Sequence, residues 1–275
     1  VDCAGKDLDL SRPRLMGVLN VTPDSFSDGG DFFSVDKACS RARQMAAEGA
    51  AIIDVGGEST RPGAEPVPAR EEIRRVIPVI EALASDLSVP ISIDTRKPEV
   101  MRAAVSAGAG MINDVNALQA PGAMEAALAA EVPVCLMHKQ GEPGTMQQAP
   151  SYRDVVGEVC DFLLGRARDC ERAGIGRERL VLDPGFGFGK TAEHNLRLLR
   201  HLDKLVSYGY PVLAGLSRKS MIGMILGLDR GERLYPGIAL AVLAVWQGAS
   251  IIRTHDVLQT RLAVEMCQAV RAVDA

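Results

Sequence analysis

Three neighbouring stretches decide the fold: AAIIDVGG at residues 50–57, REEIRRVIPVIEALAS at 70–85 and VPISID at 89–94. The first and third are short, apolar and β-branched, as strands buried on both faces are. They predict strands over Ala50–Val55 and Val89–Ile93. The middle stretch carries Ile73, Val76, Ile77 and Ile80 at helical spacing, which predicts a helix over Arg70–Ser85. The unit is therefore strand, helix, strand. A carboxylate falls in the first strand, at Asp54, and another follows the second, at Asp94.

The same alternation repeats outward in both directions. Further strands are predicted at Leu15–Leu19, Gly110–Ile112, Val132–Met137, Leu180–Leu182, Pro211–Leu216 and Ser250–Ile252. Helical periodicity marks Ser34–Glu48, Tyr152–Ala173 and Val257–Val273. Gly49, Gly108 and Gly174 stand at helix ends, where a left-handed residue is needed. Strictly alternating strands and helices imply a parallel sheet. Eight such units within 275 residues imply a (β/α)8 TIM barrel rather than a doubly wound sheet. No linker, repeat or composition shift interrupts them, so the expectation is a single domain over residues 1–275, with its core at about 15–273.

Composition narrows the function classes. The net charge is −4, which argues against binding to nucleic acid or an anionic membrane surface. No apolar run is long enough to span a bilayer. The polar start, Val1 to Arg14, has no signal-peptide pattern, and the chain begins without Met, as trimming of a few residues would leave it. The six cysteines are scattered, without metal-binding spacing, and read as reduced thiols in a cytoplasmic protein.

Polar groups collect at the carboxyl ends of the predicted strands: Asn20, Asp54, Asp94, Asn113, Asp114, His138, Asp183, Ser217, Arg218, Lys219, Arg253 and His255. That face carries the active site in barrels of this kind. Arg253 and His255 are two residues apart, so on a strand they point the same way. The loop DPGFGFGKT at 183–191 is not a nucleotide P-loop, because the glycine that motif needs at position 184 is Pro. Its alternating Gly and Phe suit a tight loop that lays an aromatic ring over a planar ligand. The loop GLSRKS at 215–220 leads into a predicted helix at Met221–Leu226.

The loops together resemble one family. NVTPDSFSDGG at 20–30, IIDVGGESTRPG at 52–63, DPGFGFGK at 183–190, SRKS at 217–220 and IRTHDV at 252–257 are similar, in order and spacing, to bacterial dihydropteroate synthases of folate biosynthesis. The resemblance runs from about Leu15 to Asp256. It implies condensation of dihydropterin hydroxymethyl pyrophosphate with p-aminobenzoate, giving dihydropteroate and pyrophosphate with Mg²⁺ assistance.

The family's positions carry over residue by residue. Asp94, Asn113, Met137, Asp183 and Lys219 match pterin-binding positions. Asn20, Thr60, Arg61, Arg253 and His255 match the pyrophosphate site, with Asn20 as the Mg²⁺ ligand. Thr60, Pro62, Phe188 and Ser220 match the walls and carboxylate donor of the benzoate pocket. Arg61, Lys219, Arg253 and His255 would carry catalysis, and Asp28 in the first loop would assist proton removal. The resemblance further implies a homodimer formed through outer helices. With no evident insertion over Gly56–Glu72, the benzoate pocket is expected to accept sulfonamides as well.

Departures from the family pattern are Lys139, Arg96 and Tyr235-Pro236-Gly237, none at an assigned position. His194 and His201 are expected to be solvated, and Trp246 to serve packing or a dimer contact. Rival readings are a pterin-dependent methyltransferase subunit, a non-catalytic pterin-binding paralogue, and a sugar-phosphate barrel enzyme. The cationic set argues against the first, and intact catalytic positions argue against the second. The motif set as a whole argues against the third.

Overall fold

The computed structural model describes residues 1–22, 31–59, 66–141 and 144–273, with the backbone alone for 31–34. Eight parallel strands form the barrel: β3 (Arg14–Asn20), β4 (Ile52–Gly56), β5 (Ile91–Asp94), β6 (Met111–Asp114), β7 (Val134–Met137), β8 (Leu180–Asp183), β9 (Leu213–Ala214) and β10 (Ile251–Thr254). They pair in the order β8-β7-β6-β5-β4-β3-β10-β9. A parallel bridge from Leu182 to Val212 brings β8 against the start of β9 and closes the ring. The predicted strands are all present. The seventh is shorter than the Pro211–Leu216 expected, because only Leu213 and Ala214 pair regularly.

Helices follow every strand: α1 (Asp31–Ala47), α2 (Ala69–Ala84), α3 (Pro98–Ser106), α4 (Ala123–Ala130), α5 (Val155–Ala173), α6 (Ala192–Arg200), α7 (Leu202–Val206), α8 (Ser220–Leu226), α9 (Leu234–Trp246) and α10 (Val257–Arg271). In α2 the buried stripe is Val76, Val79, Ile80 and Leu83, with Ile73 and Ile77 packed at its edge. Helix α5 begins at Asp154, whose carboxylate accepts from the Val156 amide, and ends at Gly174, at φ +101°.

Strand alternation creates two apolar zones. Outward residues such as Ile53, Ile93, Ile112, Leu136, Leu182 and Ile252 pack against the helices. Each fully buried side chain of this kind contributes roughly 1.5–3 kcal/mol. Inward residues Met16, Ile52, Met111, Cys135, Val181, Leu213 and Ile251 fill the barrel's lower interior.

One element was not foreseen. The polar start forms a hairpin, β1 (Asp2–Cys3) with β2 (Lys6–Asp7), which caps the amino end of the barrel. Its Cys3 and Leu8 join the inner cluster. A side chain at Gly110 would place Cβ 2.4 Å from the Cys3 carbonyl oxygen, so glycine is required there. Lys6 Nζ fastens the hairpin by donating to the carbonyls of Ala84, Leu87 and Val89 at 3.2, 2.7 and 3.4 Å. All six cysteines are free, as the scattered spacing suggested, and all six are buried.

Candidate active site

The site is the next inward layer of the same strands. Two residues beyond each inner core residue stand Val18, Asp54, Asn113, Met137, Asp183, Gly215 and Arg253, with Asp94 two beyond Ser92. A strand repeats its facing every second residue, so the apolar floor and the polar pocket share one register. The innermost part is a small cavity whose lining includes Asp94, Asn113, Met137, Asp183, Phe188 and Lys219. It opens into a wider cleft lined by Asn20, Glu58, Ser217, Ser220, Arg253 and His255, among others.

Arg253 organises the floor. Its Nε donates to Asp54 Oδ2 at 2.6 Å, and its Nη2 donates to Asp94 Oδ2 at 2.8 Å. Asn113 Nδ2 donates to the same Asp54 oxygen at 3.0 Å. Burial works against the Arg253 charge, but Asp54 and Asp94 more than offset it and raise its pKa. Burial pushes the Asp94 carboxyl up to about 7; Arg253 opposes the shift and Asp54 adds to it. Asp183 is raised by burial too, though the Gly185 amide holds one of its oxygens at 2.7 Å. Oδ1 of Asp54 and Oδ1 of Asp94 are buried without a hydrogen-bond partner among the described residues. Buried polar atoms in a native fold nearly always have partners. The orphaned oxygen of Asp94, which lines the cavity with Asn113, therefore suits a flat ligand rich in N–H donors, while Asp54 stands behind Arg253 and Asn113.

Lys219 stands over this floor, with Nζ 4.4 Å from the centre of the Phe188 ring. Burial lowers its pKa to about 8, and Asp183 restrains the fall. Phe188 is held by the β8 loop, where Gly185, Gly187 and Gly189 all have positive φ. A Cβ on Gly185 would sit 1.9 Å from the His138 carbonyl oxygen. The loop folds around the buried ammonium of Lys190, which donates to the carbonyls of Gly185 and Phe188 at 2.9 and 3.0 Å and meets His138 Nδ1 at 2.9 Å. Ser220 is the first residue of α8 and lies on the cleft's lip. Asn20 ends β3 at the same lip, beside Arg253 and His255.

The structure thus brings together Asn20, Asp94, Asn113, Met137, Asp183, Phe188, Lys219, Ser220, Arg253 and His255. Asp28, Thr60, Arg61 and Pro62 lie outside the described residues. Two of the strand-end groups turn away. Asp114 accepts from the amides of Asn116 and Leu118 and shapes its own loop. His138 is buried behind the β8 loop, edge-on to Phe162, and burial drops its pKa to about 3. His194 also departs from expectation: it shares a capping box with Thr191 and packs edge-on against Tyr152, so it is not simply solvated. The residue that the motif reading missed is Asp54. The sequence marked it as a strand-end carboxylate inside the IIDVGG motif, but gave it no role in the site.

A parallel barrel with an orphaned carboxylate oxygen in its cavity and cations along its cleft has the makings of an enzyme site for a flat, donor-rich ligand that carries an anionic group. The chain belongs to the pterin binding enzymes, whose family profile matches residues 16–255. The dihydropteroate synthase of Escherichia coli strain K12 is 54% identical over 265 residues, covering 96% of this chain and 94% of that protein. The structure of Xanthomonas albilineans dihydropteroate synthase with 4-aminobenzoic acid superposes with a TM-score of 0.93 at 54% identity, covering 98% of this chain and 97% of that one. The same enzyme in complex with 7,8-dihydropteroate gives 0.90 at 51% identity, covering 98% of each chain. Within the pterin binding enzymes this chain therefore falls among the dihydropteroate synthases, which are transferases.

Proposed function

We propose that the described site joins a dihydropterin hydroxymethyl pyrophosphate to p-aminobenzoate by a dissociative route. The observation that carries this reading is one cleft that joins an orphaned Asp94 oxygen, held beside Arg253, to Lys219 and His255. Asp94 and Asp183 take the ring's N–H groups in charge-assisted bonds. Lys219 donates to the pterin carbonyl edge. Arg253 and His255 face the departing pyrophosphate, and stabilising that anion more than the bound ester lowers the barrier. Positive charge left on the pterin methylene is attacked by an aromatic amine that is already neutral at pH 7. The protonated nitrogen formed by the attack is a strong acid and gives its proton to the released pyrophosphate or to water, so no general base of Ser-His-Asp type is needed. Phe188 walls the benzoate ring and Ser220 donates to its carboxylate.

Mg²⁺ fits this reading as an ion carried by the pyrophosphate. No group of three or more His, Cys, Asp or Glu side chains among the described residues could hold a metal. Asn20 offers a hard amide oxygen at the cleft, and Mg²⁺ commonly takes few protein ligands. When bound, the ion supplies partial neutralisation of the leaving group's charge.

We also infer a cytoplasmic homodimer. No helix among the described residues is long and apolar enough to cross a membrane. Helices α9 and α10 expose Leu243, Trp246, Leu262, Met266 and Val270, an apolar series suited to a second copy. The central experiment follows pyrophosphate release from the dihydropterin pyrophosphate with and without p-aminobenzoate and Mg²⁺. Mg²⁺-dependent release coupled to dihydropteroate formation supports the reading. Pterin binding without turnover refutes it.

A further inference from the structure

His255 is placed with unusual completeness for a residue at the mouth of a cleft. Its carbonyl accepts from Arg41 Nη2 on α1 at 3.1 Å. Its amide lies 3.3 Å from the Ser217 hydroxyl oxygen, and its ring Nδ1 lies 3.1 Å from that same oxygen. Ser217 comes from the loop after β9, and that loop is pinned to the loop after β10 by Arg218. The Arg218 guanidinium holds the Asp256 carboxylate through Nε at 3.0 Å and Nη2 at 2.5 Å. The hydroxyl and the imidazole are thus fixed from both sides.

Proton bookkeeping then selects a tautomer. A serine hydroxyl has one proton to give and two lone pairs to receive. The His255 amide has a proton and no choice of role, so it occupies one lone pair of Ser217 Oγ. Among the described residues, the one acceptor found for the hydroxyl proton is His255 Nδ1. With Nδ1 accepting, the single proton of a neutral imidazole must sit on Nε2. The ring is neutral in this environment: burial pulls its pKa down to about 3, Arg253, Arg218 and Arg230 add to the effect, and Asp256 opposes it.

We propose that Ser217 is a positioning residue that holds His255 as the Nε2–H tautomer, so that an uncharged ring still presents a donor to the pyrophosphate in the cleft. The donor's role rests on the functional reading above; the tautomer does not. A neutral donor adds directional hydrogen bonding to a site where Arg253 and Lys219 already bring positive charge. It avoids burying a third cation among them before the anion arrives.

The test is ¹⁵N NMR of the histidine rings in the ligand-free protein, with His255 assigned by comparison with His255→Gln. Wild-type protein should show a protonated Nε2 and a bare Nδ1. Ser217→Ala should lose that preference and bind inorganic pyrophosphate, measured by calorimetry, about 3- to 10-fold more weakly. Ser217→Thr, which keeps the hydroxyl, should restore both signals. His255→Gln, which keeps an N–H donor, should bind better than His255→Ala. A wild-type ring protonated on Nδ1 overturns the proposal. So does Ser217→Ala with the tautomer unchanged. Wild-type protein that shows the Nε2–H ring but does not bind pyrophosphate overturns the anion reading on which the donor's role depends.

Discussion

Replacing Arg253 with Met tests whether the floor of the site is an electrostatic unit. Arg253 is paired with Asp54, which is wholly buried, and with Asp94, which is 9% exposed. Removing the guanidinium leaves two buried carboxylates without the cation that bonds both of them. Breaking one buried pair in this way costs about 3–5 kcal/mol. For a chain of this size that is a fall in melting temperature of roughly 5–9 °C. The loss should depend on pH, and its sign follows from Asp94. The folded-state pKa of Asp94, about 7, lies above its ordinary value of 3.8. Between those values the folded protein holds a proton that the unfolded chain has released, so stability falls as pH rises through the window. Without Arg253 the carboxyl rises further. The deficit of Arg253→Met should therefore be greatest at pH 8 and shrink toward pH 5. Thermal melts of wild type and variant across that range measure it. Adding Asp54→Asn to Arg253→Met should recover part of the loss, with a coupling of about 1–3 kcal/mol. A variant that melts within 2 °C of wild type at pH 8, or whose deficit grows as pH falls, would falsify the view that these three groups stabilise one another.

Other perturbations reach the remaining parts of the site. Lys219→Met removes a charge-assisted donor and its contact with Phe188, and kcat/KM should fall by about 10- to 150-fold under pyrophosphate-release kinetics; an unchanged value removes Lys219 from the site. Gly185→Ala forces a Cβ to within 1.9 Å of the His138 carbonyl at a φ of +66°, so soluble, cooperatively melting protein should be lost, and a normal melt would mean that the β8 loop tolerates a shift. Trp246→Asp with Leu262→Asp should leave a monomer by light scattering if α9 and α10 meet a second copy; a dimer that persists places the interface elsewhere. A sulfonamide should raise the apparent KM for p-aminobenzoate without lowering kcat, and failure to compete would argue against an ordinary benzoate pocket.

The chain by itself determined the barrel and the face that carries chemistry. Runs such as AAIIDVGG and VPISID suit strands buried on both faces, and their strict alternation with helical periodicity implies a parallel sheet. Polar residues at eight strand ends then marked one end of that sheet. The motif loops carried the family assignment. Composition and spacing did not show which polar residue faces in. Asp54 and Arg253 are 199 residues apart, and their pairing exists only because the barrel brings β4 and β10 to opposite flanks of β3. Asp114 and His138 look as functional as Asp94 and Asp183 in the sequence. Asp114 falls at an outward position, one step from Asn113, and His138 lies just past the end of β7 behind a loop closed by Lys190. Nor did the polar first residues announce that Cys3 and Leu8 would complete the inner core. A strand's period of two assigns a face only once the register of its neighbours is fixed, and only tertiary structure fixes that register.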